Sequence, residues 1–237
     1  MNSLKDKVVY ITGGSKGIGL GIAEQLLNAG MRVAISGRTE KSLSDAVEHL
    51  GNRDRVISIV SDVSKPEDEV KACQGILNEW GQLDVVVANA GVGNFAAVDE
   101  MSVEAWDQMI NINLSGVFYT LRATVEALKK SNGYFITVAS LAGTNFFATA
   151  AGYNASKFGL VGFTQAAMLD LRKYDIKVTT IMPGSVATFF NHNTPSEKDN
   201  WKIQPEDIGQ IVQDLLEMPA RTLPSKIEVR PSRPDLK

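Results

Sequence analysis

The chain has 237 residues, with 24 Lys and Arg against 27 Asp and Glu, a formal net charge of −3. No nucleic-acid-sized basic field is possible on that balance, and two His and one Cys exclude an intramolecular disulfide, a Cys-rich zinc site or a multi-His metal site. A length of this order suits one α/β domain, whose chemistry must run on Ser, Thr, Tyr, Lys, Asn and carboxylates, or on a bound cofactor.

In chain order, Lys5, Asp6 and Lys7 stand where a signal peptide would need an apolar run, and no stretch approaches the ~18 apolar residues of a spanning helix. A cytoplasmic location without membrane contact is therefore expected. Strand-like runs follow at residues 8–11, 32–36, 56–60, 83–88, 134–138, 178–182 and 227–229. Helical spacing lies between them, as in Ile18/Ile22/Leu26, Leu43/Val47/Leu50, Val70/Gln74/Leu77 and Ile208/Ile211/Leu215. Val85-Val86-Val87 is apolar throughout rather than alternating, which suits a strand buried on both faces of a parallel sheet. The alternation predicts a single α/β domain over 1–237: a doubly wound, Rossmann-type parallel sheet of about seven strands with helices on both faces. An eightfold barrel is the competitor and fits seven strand candidates poorly. The polar, turn-rich segment 185–204 is expected to cover a site at the carboxyl ends of the strands, and 231–237 reads as a C-terminal tail.

The first strand runs into Thr12-Gly13-Gly14-Ser15-Lys16-Gly17-Ile18-Gly19 and then into a helix. Glycines let the backbone approach a pyrophosphate, and the free N–H groups of a helix start attract its charge. The spacing is not G-x-G-x-x-G; position after a strand and before an amphipathic helix carries the reading. The second strand ends Ser36-Gly37-Arg38-Thr39, with no acid for a ribose 2′-hydroxyl and with Arg38 and Lys16 as neighbouring cations. That favours NADP(H) over NAD(H), since a 2′-phosphate would meet two positive charges and no carboxylate.

Tyr153 and Lys157 stand four apart, on one face of a helical stretch running to about Lys173. An ammonium beside the phenol is expected to lower its pKa and let it exchange a proton with a carbonyl or alcohol oxygen. Ser140 follows the strand 134–138 and could donate to that oxygen as charge develops. A serine hydrolase is disfavoured, because no G-x-S-x-G elbow is present and His49 and His192 lie elsewhere.

With these residues in place, the chain resembles a short-chain dehydrogenase/reductase of the compact single-domain type over residues 7–231. Thr12 to Gly19 resembles that family's T-G-x-x-x-G-x-G loop, which implies cofactor contacts at Gly13, Ser15, Lys16, Gly17, Ile18 and Gly19. Asp62-Val63 matches its adenine-contacting pair and Asn89-Ala90-Gly91 its N-A-G segment. Pro183-Gly184, with Val186 and Thr188, matches the segment beside the nicotinamide carboxamide. Asn113, Ser140, Tyr153 and Lys157 match the catalytic tetrad, with Ala139 where an S-S pair is commoner. The resemblance implies hydride transfer between a nicotinamide and a carbonyl carbon, with Tyr153 as acid/base and Ser140 orienting the oxygen. Lys157 would tune Tyr153 and bind the nicotinamide ribose, and Asn113 would complete a proton relay. It also implies a homodimer or homotetramer.

For the substrate, Phe95, Phe146, Phe147, Phe189, Phe190 and Trp201 point to a small carbonyl or alcohol with an apolar body. A 3-oxoacyl group on an acyl-carrier protein is the alternative, suggested by Lys129-Lys130 and Arg172-Lys173 at helix ends that the helix dipole explains equally well. An NADP(H)-binding sensor or scaffold is the alternative outside catalysis.

Overall fold

A computed structural model describes residues 4–51 and 54–233 of the chain, so residues 234–237 of the expected tail lie outside the described residues. Seven strands form one sheet: β1 (Val8–Thr12), β2 (Arg32–Gly37), β3 (Val56–Val60), β4 (Val85–Ala88), β5 (Tyr134–Val138), β6 (Lys177–Pro183) and β7 (Lys226–Val229). All pair in parallel, in the order β3-β2-β1-β4-β5-β6-β7. The sheet is open, with β3 and β7 as its edges, so the barrel alternative falls away.

Helices α1 (Gly17–Asn28), α2 (Glu40–Leu50), α3 (Pro66–Trp80), α4 (Val103–Ile110), α5 (Gly116–Ser131), α6 (Ala151–Leu171) and α7 (Pro205–Glu217) cover both faces. Strand side chains alternate between two cores, as a two-residue period requires. Val9, Ile11, Val33 and Ile35 pack with Ile22 and Leu26 of α1 and Ile208 and Val212 of α7. Val8, Tyr10, Ala34 and Val86 pack instead with Ile76 of α3, Leu121 of α5 and Leu160 and Met168 of α6. The lone Cys73 is buried there, and desolvation together with the Glu69 charge pushes its thiol up, which makes it unreactive.

Local signals set the helix ends. α3 starts with Pro66 followed by Glu67, Asp68 and Glu69, which suit the positive end of the helix dipole, and stops at Gly81 with φ 72°. Residues Asn111–Ser115 join α4 to α5 as a π-helical turn, a widening that helices show at functional positions. Because β1 lies between β2 and β4, the chain winds outward in opposite directions from this point, leaving a crevice beyond the carboxyl ends of these strands. The segment 185–204 is tied at its base: Val186 bridges Ile203, Ala187 N donates to Ile203 O at 2.9 Å, and Ile203 N donates to Ser185 O at 3.1 Å.

Candidate active site

One cleft of about 1370 Å³ runs along the carboxyl edge of the sheet, from Arg38 and the glycine turn to Ser140, Tyr153 and the 185–204 segment. At its centre the turn after β1 is locked to the turn after β4. Thr12 Oγ1 accepts from the N–H groups of Asn89 and Ala90 at 3.0 and 3.1 Å, and Asn89 Nδ2 donates to the carbonyls of Thr12 and Gly13 at 3.0 and 3.1 Å. Gly13 has φ +65°, and a Cβ there would lie 2.9 Å from Ala90 Cα, so glycine is required both for conformation and for close approach. Ser15, Lys16, Gly17 and Ile18 line the cleft beyond it. Gly19 does not; a Cβ on it would run into Gly13 O and Asn89 Nδ2, so it is glycine for close packing within the turn.

At the far end the cleft is lined by Arg38, Asp62 and Val63, as expected, and also by Ser36, Thr39, Ser42 and Ser61, which the sequence reading missed. Thr39 Oγ1 and Ser42 Oγ lie 2.7 Å apart at the start of α2. For Ser36 and Ser61 the available signal was a hydroxyl at or just past the end of a strand; Thr39 and Ser42, at the start of α2, carried none. Asp62 brings a carboxylate to this end of the cleft, although the end of β2 itself carries none. It lies two residues past β3, its Oδ1 accepting from Ser64 N at 3.0 Å and Ser64 Oγ at 2.7 Å. Desolvation pushes the Asp62 carboxyl up, but the Ser64 hydrogen bonds with Lys65 and Arg38 outweigh it and hold the group below its usual range.

At the other end, α6 presents Tyr153 and, one turn later, Lys157, both almost wholly buried. Tyr153 shares a hydrogen bond with Ser140, whose Oγ also accepts from Ala142 N at 3.1 Å at the start of a 3-10 turn. Lys157 Nζ donates to Val138 O at 3.1 Å and stands 5.8 Å from the Tyr153 ring centre. Burial draws Lys157 down to about 8. Burial pushes the Tyr153 phenol up, against the pull of its Ser140 hydrogen bond. This is opposite to the expected lowering by Lys157, because desolvation of a buried phenol is the largest influence on it.

Asn113 is fully buried in the π turn and does not line the cleft. Its Oδ1 accepts from Val92 N at 2.8 Å, and its Nδ2 donates to Val92 O at 2.9 Å and to Ser156 Oγ at 3.0 Å. The side chain thus straps the segment after β4 to the helix pair. Asn89, Ala90 and Gly91 line the cleft beside this strap, and Pro183, Gly184, Val186 and Thr188 line it from the end of β6.

A model of the family described as short chain dehydrogenase matches residues 7–199. The chain belongs to that family. An uncharacterized oxidoreductase of Staphylococcus saprophyticus is 33% identical over 238 residues, covering 98% of this chain and 100% of the relative. An alcohol dehydrogenase from the archaeon Thermococcus sibiricus, solved with 5-hydroxy-NADP, superposes with a TM-score of 0.91 at 30% identity, covering 98% of this chain and 100% of that one. A metagenomic short-chain oxidoreductase solved with NADP gives 0.85 at 32% identity, again over 98% and 100%.

As a short chain dehydrogenase, the protein is an oxidoreductase, and aromatic rings distinguish the Tyr153 end of the cleft. Phe95 lies 5.3 Å from the Tyr153 ring, Phe190 lies 5.6 Å from it, and Phe147 lies 6.0 Å from Phe95. Phe189 and Trp201 also line the cleft, whereas Phe146 is 84% exposed and stands outside it. Lys202 and Arg230 at the rim were not anticipated; each is paired with a neighbouring carboxylate, Asp199 and Glu228 respectively. Among the described residues no group of three or more His, Cys, Asp or Glu side chains could hold a metal ion, and no helix is long and apolar enough to cross a membrane.

Proposed function

We propose that the protein is an NADPH-dependent reductase of a ketone or aldehyde, with Tyr153 as the acid. One observation carries this reading: the Ser140–Tyr153–Lys157 group and the glycine turn with its flanking cations lie in one continuous cleft. The residues present fit NADP(H). Gly13 and Gly17 have φ of +65° and +55° and leave no side chain at those two positions of the turn before α1, and Lys16, Arg38, Ser15, Thr39 and Ser42 give a 2′-phosphate cations and hydroxyl donors. The NADP-type ligands in the two solved relatives support the same choice. The chemistry the cofactor supplies when bound is hydride donation to a carbonyl carbon.

The chain's own residues handle the oxygen and the proton. Burial keeps Tyr153 protonated at neutral pH, the form that reduction requires of an acid. Ser140, fixed by Ala142 N and by Tyr153, orients the carbonyl oxygen toward that phenol. Lys157, at about 8, can pass a proton on near neutral pH. The Asn113 side chain is committed to Val92 and Ser156, so any share in a proton relay falls to its main chain. The rings of Phe95 and Phe190 against Tyr153, with Phe147 against Phe95, support a substrate with an apolar body. Exposed Phe118 on α5 and Phe158 and Leu169 on α6 support association of copies through these helices.

The test follows loss of nicotinamide absorbance with NADPH and a panel of aliphatic, aromatic and polycyclic ketones and aldehydes. Turnover is expected for wild type, with Tyr153→Phe slower by at least roughly a hundredfold and NADPH binding nearly intact. Undiminished activity in that variant refutes the assignment of the acid. Binding of NADPH without turnover of any carbonyl favours the sensor reading.

A further inference from the structure

Behind the Arg38 end of the cleft lies a buried carboxylate that the proposed reaction does not use. Glu69, in the first turn of α3, is wholly excluded from solvent. Ser61 Oγ donates to its Oε1 at 2.7 Å, and the Tyr10 hydroxyl lies 3.1 and 3.2 Å from its two oxygens. Tyr10 in turn lies 3.0 Å from Ser36 Oγ, and Thr120 of α5, whose hydroxyl donates to Gly116 O at 2.9 Å, stands beside the carboxyl. One side chain therefore joins β1, β2 and the end of β3 to two helices.

Burying a carboxyl among apolar residues is costly unless its oxygens are satisfied, so the Ser61 and Tyr10 hydroxyls converging on one is a built arrangement. Its two outer members face the cleft. Ser36 and Ser61 both line it, and each immediately precedes cleft-lining residues, Gly37-Arg38 and Asp62-Val63. The backbones are coupled as well, since Ser61 N donates to Gly37 O at 3.0 Å and Gly14 N to Ser36 O at 3.0 Å.

We propose that Glu69 is a positioning residue for the adenosine end of the cofactor, acting through Ser61 and, by way of Tyr10, through Ser36. It rests on the reading that this cleft takes NADPH. Removing the carboxylate frees both strand ends, so cofactor affinity falls while the step at Tyr153, at the opposite end of the cleft, keeps its saturating rate. The Tyr10–Ser36 branch leads to Arg38, so its loss weakens NADPH more than NADH.

The experiment is fluorescence titration of NADPH and NADH on wild type, Glu69→Leu, Glu69→Gln and Tyr10→Phe, with kcat and KM on the best carbonyl and thermal melting of each variant. Glu69→Leu is expected to raise the NADPH Kd by about tenfold or more, the scale of a lost hydrogen-bond network, with kcat little changed. Glu69→Gln keeps an acceptor oxygen and is expected to restore most of that affinity. Tyr10→Phe deletes only a hydroxyl and is expected to lower the NADPH-to-NADH preference; it decides the matter if Glu69→Leu does not fold. Unchanged Kd values in folded variants, or an equal loss for both cofactors with kcat falling in step, overturns the proposal. Failure of wild type to bind NADPH removes the underlying reading instead, and the inference with it.

Discussion

Replacing Asn113 by Ala isolates what a single buried amide does for this site. The substitution removes the acceptor of Val92 N–H and the donors to Val92 O and Ser156 Oγ. Ser156 Oγ keeps a partner in Tyr153 O, to which it donates at 2.8 Å. Two main-chain groups of Val92 are thus orphaned, each costing roughly 1–3 kcal/mol when dry. Val92 lines the cleft and is only half-buried, so water can reach it and the low end applies, about 2 kcal/mol in total. For a chain of this length that corresponds to a fall in Tm of roughly 4–8 °C. Scanning calorimetry on wild type and variant measures it directly. A fall below about 2 °C would show that solvent replaces the amide at no cost and that the strap is not an organising contact. Asn113→Asp supplies the control. It keeps an acceptor for Val92 N but turns an oxygen toward Val92 O, so the new carboxyl is driven to hold a proton in the native state. Its native pKa then exceeds the unfolded value of about 3.9, and the variant must lose stability relative to wild type as pH rises through that interval.

Other consequences are equally open to measurement. Lys157 has its native pKa drawn from 10.5 to about 8, so between these values the unfolded chain binds a proton that the folded one does not, and stability must rise with pH. The difference in urea unfolding free energy between wild type and Lys157→Met should grow by about 3 kcal/mol across that window; a flat difference refutes the burial argument. Arg38→Asp should lower the ratio of NADPH to NADH activity by at least tenfold, the scale of one charge-assisted hydrogen bond, and an unchanged ratio misplaces the 2′-phosphate. Gly209→Ala puts a Cβ 2.7 Å from Gly21 O and 2.9 Å from Gln25 Cβ, so α7 must back away from α1. A cost of roughly 1–3 kcal/mol outweighs the gain in helix propensity of about 1 kcal/mol, and a raised Tm contradicts that packing.

The sheet was legible because its strands are apolar runs separated by amphipathic helices, and a two-residue or 3.6-residue period survives in the sequence without knowledge of neighbours. Ser140, Tyr153 and Lys157 were legible for a related reason: one follows a strand end and the other two stand four apart along one helix. Gly19 shows where such reading stops: matched to the cofactor loop, it packs behind Gly13 and does not line the cleft, and facing a cleft or backing it differ by a few ångströms that spacing does not record. Asn113 does stand where the long helix is distorted, but the bonds that tie its side chain to Val92 and Ser156 are invisible along the chain. The raised phenol of Tyr153 was missed because desolvation depends on everything packed around the ring, whereas only Lys157 is visible along the chain. Neither Glu69, one of three acids at the start of a helix, nor Tyr10, within an apolar strand, is marked out along the chain. Their partnership is written across 59 positions of sequence and appears only when the strands are laid side by side.

The lock between Thr12-Gly13 and Asn89-Ala90 lies where the two windings of the sheet meet. A nucleotide seated across that seam touches both halves, and an unfolded chain offers it nothing comparable. Mass action then makes the nucleotide pool part of the protein's durability: at a hundred times Kd, occupancy adds about 2.7 kcal/mol to the free energy of unfolding. Proteolysis that proceeds through opened states would slow by roughly two orders of magnitude under the same condition. The lifetime of the protein in a cell would thereby follow the supply of its own coenzyme.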